Sequence, residues 1–302
     1  DPWMRLESNL HLLTAEIIEE CPSFLNSPEA LIIRAKIDLI AASRHTDLEE
    51  KKELAHSAAV TFMKNPGIDF DVSQVCNSFI SLGFDAYAVK IASSVAQFVD
   101  DAQLGYYWYL NGCKESEFTS KKKFEDVSKI YESAFDAAFS EEGLNAILET
   151  NDDLFILLAF QHLLRTNEKD RLLSLDNPLV LDFLRENEPQ LVPDYYIKRD
   201  QYELAINDLI KYASDVENNE ISFETRIKFL QKASNYARKE SLFDLAEESQ
   251  IRIQCAKIQK EMSPEKIGEP LKSLSVLFRE AEKSMKWSTM LKIASLSKVD
   301  SF

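Results

Sequence analysis

The sequence predicts an all-α protein, an irregular α-solenoid of stacked antiparallel helix pairs. Glycine is scarce, six in 302 residues, where average usage gives about twenty, and sheets joined by tight turns need more. Prolines flank helical patterns: Ser27-Pro28, Asn177-Pro178 and Ser263-Pro264 each set a cap residue before proline at the first helical position. Over 242–262 the apolar residues fall into two stripes at helical spacing, and a helix apolar on two sides must be covered from two sides, as in a stack.

In chain order, 8–21 and 28–43 read as a helix pair broken by Pro22. Thr46 and Glu49 form a capping box for a helix to about Lys64, which Pro66-Gly67 stops. Asp71 and Gln74 open a short helix ending near Gly83, and 85–101 is the next. Residues 103–113 carry Tyr106-Tyr107-Trp108-Tyr109; helices at 120–139 and 141–149 follow. Asn151 or Asp152 caps an unusually apolar helix to Arg165, the most buried one by composition. Pro178, Pro189 and Pro193 divide the next stretch into short helices.

Residues 195–260 organise the rest. Tyr202, Ala205, Ile206, Leu209, Tyr212, Ala213 and Val216 recur at helical spacing, followed by the polar turn Glu217-Asn218-Asn219-Glu220. Ser222 caps a helix with Phe223, Ile227, Leu230, Ala233 and Ala237 on one side. Ser241 with Asp244 starts the third in capping-box fashion. Its stripes are Leu242, Leu245, Ala246, Ile253 and Ala256, and Ile251, Cys255, Ile258 and Met262. The last stretch, 271–296, reads as one amphipathic helix, with Leu271, Leu274, Phe278, Ala281 and Met285 as its stripe and Lys272, Arg279, Lys283 and Lys286 elsewhere. It is either the next solenoid helix or, less favoured, a membrane-surface helix. An aromatic–acidic pattern at Phe84, Phe124, Tyr202 and Phe243 has intervals of 40, 78 and 41 residues, near multiples of a helix-pair repeat; the slot near residue 163 lacks it.

Tyr195-Tyr196, Tyr202 through Ala213, Glu220-Ile221-Ser222 with Arg226, Ala246-Glu247 through Gln254, and Ile258-Gln259 resemble the large inner-ring scaffold nucleoporins. These lack Phe-Gly repeats and join an N-terminal β-propeller to a C-terminal α-solenoid. The resemblance is best over the last 110 or so residues. It implies a structural place in the nuclear pore complex of the nuclear envelope, supporting pore assembly and nucleocytoplasmic transport. The implied partners are other scaffold and linker nucleoporins. Membrane contact is left open for the full-length protein and not expected from this segment. The alternative is a helical-repeat subunit of a vesicle coat or a protease-lid type assembly. Residues 1–302 are expected to be a single solenoid segment, an excised fragment of a larger chain, with a softer subdivision near 166–193.

A net charge of −16 argues against non-specific nucleic-acid binding, which works by neutralising phosphates. Residues 257–302 hold nine Lys/Arg against six Asp/Glu, a net +3 that leaves −19 for residues 1–256. Cys21, Cys76, Cys113 and Cys255 are far apart with no CxxC, so neither zinc ligation nor a disulfide framework is expected. No run of apolar residues reaches the twenty or so that span a bilayer.

No catalytic constellation survives inspection, so no enzyme, cofactor or metal is expected. His11, His45, His56 and His162 lack ligand spacing, and His162 reads as a satisfied structural histidine. Asp100-Asp101 and Asp152-Asp153 lack the third acid of a diphosphate-binding helix and read as caps or solvated groups. The aromatic run 106–109 is favoured as internal packing over a peptide anchor. Lys121-Lys122-Lys123 reads as a solvated turn. The candidate surface is the C-terminal end, where Trp287, Met290, Leu291 and Phe302 make an apolar rather than polar terminus. A stacked array needs a polar cap, so this face is expected to be a solenoid-continuation or protein-interaction surface.

Overall fold

The computed structural model describes residues 27–112, 118–214, 221–262 and 270–297. These form helices α1 (Pro28–Arg44), α2 (Leu48–Lys64), α3 (Val72–Ser81), α4 (Asp85–Val99), α5 (Leu104–Leu110), α6 (Phe118–Glu132), α7 (Glu141–Leu148) and α8 (Asp153–Arg165). There follow α9 (Lys169–Ser174), α10 (Pro178–Asn187), α11 (Val192–Ile197), α12 (Tyr202–Ser214), α13 (Phe223–Lys239), α14 (Phe243–Met262), α15 (Leu274–Lys283) and α16 (Trp287–Ser297). Two short 3-10 turns lie at Phe135–Phe139 and Pro189–Leu191. No strand occurs among the described residues. The chain divides into two compact units at Lys169/Asp170. The helix expected at 8–21 lies outside the described residues, as do Cys21, Cys113 and the Ser263-Pro264 cap.

Side-chain caps start seven of these helices, satisfying amides with no intrahelical partner. Ser27, Asp71, Ser140, Asp152, Asn177 and Ser222 accept from Ala30, Gln74, Gly143, Phe155, Leu179 and Thr225. Asp47, not Thr46, caps α2, its carboxylate taking the amide of Glu49 at 2.8 Å. A carboxylate suits a helix N-terminus better than a hydroxyl because it also meets the dipole.

In the first unit α1 pairs with α2, and α4 packs on α2, α3, α6 and α7. The expected 120–139 helix instead breaks after Glu132. The chain tightens into the 3-10 turn, which places Phe135 and Phe139 on the His162 ring at 5.0 and 5.5 Å. Gly143 permits α7 to press on that turn, since a Cβ there would lie 2.2 Å from the Ala137 carbonyl oxygen. α8 is the most buried helix of this unit: every residue from Leu154 to Phe160 is inside.

His162 is therefore not the satisfied histidine expected: its Nε2 is buried without a hydrogen bond. Burial lowers its pKa below the ordinary 6.5, with Asp136 and Glu132 opposing and Arg165 assisting. The folded state thus binds this proton less readily than the unfolded chain. Its stability contribution is complete above pH 6.5 and is lost as pH falls through 6.5 toward the depressed folded value. Urea midpoints measured between pH 7.5 and 5 should fall less steeply for His162→Phe than for the parent; parallel slopes would show that this ring does not carry the effect.

In the second unit α12, α13 and α14 form an antiparallel layer around Ile206, Leu209, Leu230, Ala233, Ala237 and Ile253. α14 is two-sided as the stripes predict. Ala246 and Ile253 face the α12–α13 core, whereas Cys255 and Ile258 face Leu277, Ala281 and Ile293 of α15 and α16. The turns joining α3–α4, α8–α9, α11–α12, α13–α14 and α15–α16 share one geometry. A residue with positive φ (Gly83, Asn167, Asp200, Ser241, Met285) is followed by an amide that reaches back five residues, as from Leu242 to the Ala237 carbonyl at 2.7 Å. Ser241 therefore ends α13 rather than capping α14. The aromatic repeat is at root a repeat of this turn: Phe84, Tyr202 and Phe243 each follow one, Asn167 fills the empty slot, and Phe124 belongs to the middle of α6 instead.

Candidate protein-interaction surface

The last described helices are set by buried polar side chains on α13 and α14. Arg226 is fully buried and donates to the Ala213 carbonyl at 2.6 Å, closing the C-terminal end of α12. Arg252 links Glu248 to the Ser214 hydroxyl, at 2.7 and 2.8 Å. Gln259, 1 % exposed, uses both halves of its amide: it donates to the Pro270 carbonyl at 2.9 Å and accepts from the Lys272 amide at 3.0 Å. That clamp lays residues 270–273 back along α14, where Leu271 to Ser275 lie beside Asp244, Ile251 and Cys255. α15 consequently runs parallel to α14, and α16 returns from Met262, which Lys286 reaches at 3.5 Å, toward Phe243.

The single 271–296 helix is thus corrected to a hairpin, with Met285 in the left-handed region at φ 52°. Its second arm sorts the apolar C-terminal residues. Ile293 is buried, and Met290 and Leu296 pack on the unit's own core. Trp287 and Leu291 face outward, 69 % and 73 % exposed. Met290 therefore leaves the surface, and Phe302 lies outside the described residues. Three basic residues of this stretch are engaged locally: Lys272 with Glu280 at 2.8 Å, Lys286 with the Met262 carbonyl at 3.5 Å and Lys292 with Glu261 at 3.0 Å.

The other sequence candidates resolve into packing. Asp100 is buried and accepts from the amides of Leu104 and Gly105 at 3.0 and 2.7 Å, capping α5. Asp152 caps α8 and takes the Tyr131 hydroxyl; Asp153 takes the Tyr106 hydroxyl at 3.2 Å. Burial, and then the neighbouring carboxylates, push both tyrosine pKa values up. Trp108 and Tyr109 pack on Phe124, leaving Tyr107 as the exposed member of the run. Lys123 is no solvated turn residue, since its ammonium binds the Val99 carbonyl at the end of α4. Burial pushes the Cys76 thiol up to about 12 and raises Cys255 as well, which makes both poor nucleophiles. Among the described residues no group of three or more His, Cys, Asp or Glu is placed to hold a metal ion. No described helix is long and apolar enough to cross a membrane.

Sequence reasoning missed a cleft of about 690 Å³ beside α14, lined by Arg238, Phe243, Ala246, Glu247, Ile251 and Leu296 among others. Its signal was an aromatic at the start of α14 that joins neither stripe: Phe243 is 70 % exposed.

Helices stacked on a two-sided α14, with outward apolar side chains on the last of them, define a segment of an α-solenoid. The family described as non-repetitive/WGA-negative nucleoporin C-terminal matches residues 4–265, and the chain belongs to it. Nucleoporins are components of the nuclear pore complex, which places the chain in the nuclear envelope. Probable nucleoporin C890.06 of Schizosaccharomyces pombe is 24% identical over 249 residues, 76% of this chain and 19% of that protein. Nucleoporin NUP170 of Saccharomyces cerevisiae is 21% identical over 288 residues, 80% of this chain and 19% of that one. The chain thus spans about a fifth of the length of these relatives. The solved complex of Chaetomium thermophilum Nup170 CTD with Nup145N matches at TM-score 0.69 and 17% identity, over 99% of this chain and 64% of that one. The Nup170 CTD alone matches at 0.67 and 18%, over 89% and 57%.

Proposed function

We propose that this chain is a scaffold segment of the nuclear pore's inner ring, which holds other nucleoporins at fixed positions and performs no catalysis. Membership of a nucleoporin family carries the proposal, and the build of the second unit supports it: its buried Arg226, Ser234 and Gln259 each tie neighbouring segments together. The complex of a structural neighbour with Nup145N supports another nucleoporin as partner. The net charge of −16 speaks against nucleic acid. The chain, tagged and expressed in cells, should collect at the nuclear rim and co-purify with scaffold and linker nucleoporins. Co-purification with coat or protease-lid subunits instead would overturn the reading.

In the same reading the outer face of α16, with Trp287 and Leu291, is where further helices of a longer protein pack. Left open, such a face drives self-association. Trp287→Glu with Leu291→Glu should reduce concentration-dependent association in sedimentation velocity and leave helicity unchanged. Unfolding by the double substitution would assign these side chains to the chain's own core and end this part of the proposal.

A further inference from the structure

The sequence holds one Asn-Gly step, Asn111-Gly112, where α5 ends. An asparagine side chain can react with the backbone nitrogen of the next residue when no Cβ crowds that nitrogen, and glycine alone has none. Asn111 is half-buried, Gly112 is exposed, and a Cβ placed on Gly112 would meet no atom within 4 Å. The ring that joins the two residues therefore has room to close. Two hydrogen bonds oppose it. The Asn111 side-chain amide donates to the Tyr107 carbonyl at 2.9 Å, and the Gly112 amide donates to the Tyr109 carbonyl at 3.2 Å. Both close the last turn of a helix of only 7 residues. Helix ends fray at little cost in free energy, so this pair opens often enough to react. Asn77 makes the contrast: it is equally open to solvent but sits inside α3 ahead of Ser78, whose nitrogen the helix holds.

We propose that Asn111-Gly112 is a site of spontaneous covalent modification, at which the side-chain amide is lost and aspartate and isoaspartate replace asparagine. The Gly112 nitrogen attacks Cγ of Asn111, forming a C–N bond, and the Cγ–Nδ2 bond breaks. The Gly112 amide proton passes to Nδ2, which leaves as ammonia. Water then opens the succinimide at either carbonyl, and nothing is oxidised or reduced. Both products set a carboxylate at the C-terminal end of α5, where the helix dipole disfavours it, and both lose the donor to the Tyr107 carbonyl. Isoaspartate also carries the main chain through Cβ and Cγ, which lengthens it by a methylene. α5 meets α6 through Trp108 and Tyr109 on Phe124, so the change loosens the turn beside that contact.

The test incubates the folded 302-residue chain in mildly alkaline buffer. Peptide mapping by mass spectrometry follows the reaction, as does methyl transfer from S-adenosylmethionine by an isoaspartyl methyltransferase. Aspartate and isoaspartate should build up at residue 111 at least about tenfold faster than at Asn77. The rate should rise with pH, because the nitrogen attacks as its anion. Asn111→Gln keeps an amide but must close a larger ring, so it should remove most of the methyl-accepting signal. Hydrogen exchange over 104–110 should quicken in the aged chain and in Asn111→Asp, with circular dichroism unchanged. An intact Asn111, equal modification at Asn77, or a signal undiminished by Asn111→Gln would each overturn the proposal. Reaction only after unfolding in urea would overturn it as well, since the two hydrogen bonds would then hold the step shut in the fold. Exchange over 104–110 at the fresh chain's rate would overturn the loosening.

Discussion

Replacing Arg226 with alanine is expected to lower stability by about 3–5 kcal/mol, the range for truncating a large buried side chain. Arg226 is the largest fully buried side chain among the described residues. Its aliphatic stem fills space in the α12–α13 core, and its guanidinium satisfies the Ala213 carbonyl at 2.6 Å. The alanine variant loses the packing and also leaves that carbonyl short of a donor, which alone costs about 1–3 kcal/mol. Arg226→Met separates the two, because it keeps most of the volume and removes the donor. The urea midpoint should fall furthest for Ala and by an intermediate amount for Met. A methionine variant as stable as the parent would show that the hydrogen bond contributes nothing beyond volume.

Leu209→Ala and Leu230→Ala should each cost about 2–5 kcal/mol, the range for emptying a leucine site in a packed core. Both side chains are essentially inaccessible and belong to one cluster spanning α12, α13 and α14. Repeats of a solenoid contact chiefly their neighbours, so the loss should stay local. Hydrogen exchange should accelerate over 202–262 and leave α1 to α4 at the parent rate. Uniform acceleration over the described residues would instead identify one cooperative globule.

α14 was legible because its apolar residues fall at two helical phases, and periodicity reports sidedness directly. The caps at Ser27, Asp71 and Ser222 were legible for a similar reason: the residue types that accept from free amides are few. Arg226 and Gln259 were not. A charged or amide side chain at an inward position looks the same in sequence as one facing water, and its partners are carbonyls and amides that carry no residue signature. The break between α15 and α16 was hidden because Met285, neither glycine nor asparagine, takes the left-handed conformation. Of the C-terminal surface, apolar character could be read at Trp287 and Leu291, but their separation from Met290 depends on which face of α16 meets α15. The cleft beside α14 was the least accessible to sequence, since Arg238, Phe243 and Leu296 come from three helices.

The Gln259 clamp shifts the rhythm of the second unit by half a period. In a strictly alternating stack, tight turns fall on one margin and long connections on the other, and α11 through α14 keep that beat. Because residues 270–273 are drawn back along α14, α15 sets off in the same direction as its predecessor. The turn at Met285 then lies on the margin of Met262, opposite the turn at Ser241. A partner that follows the Met262 margin meets a tight turn where the earlier beat would have placed a long connection. One buried amide thereby decides which margin presents which kind of surface.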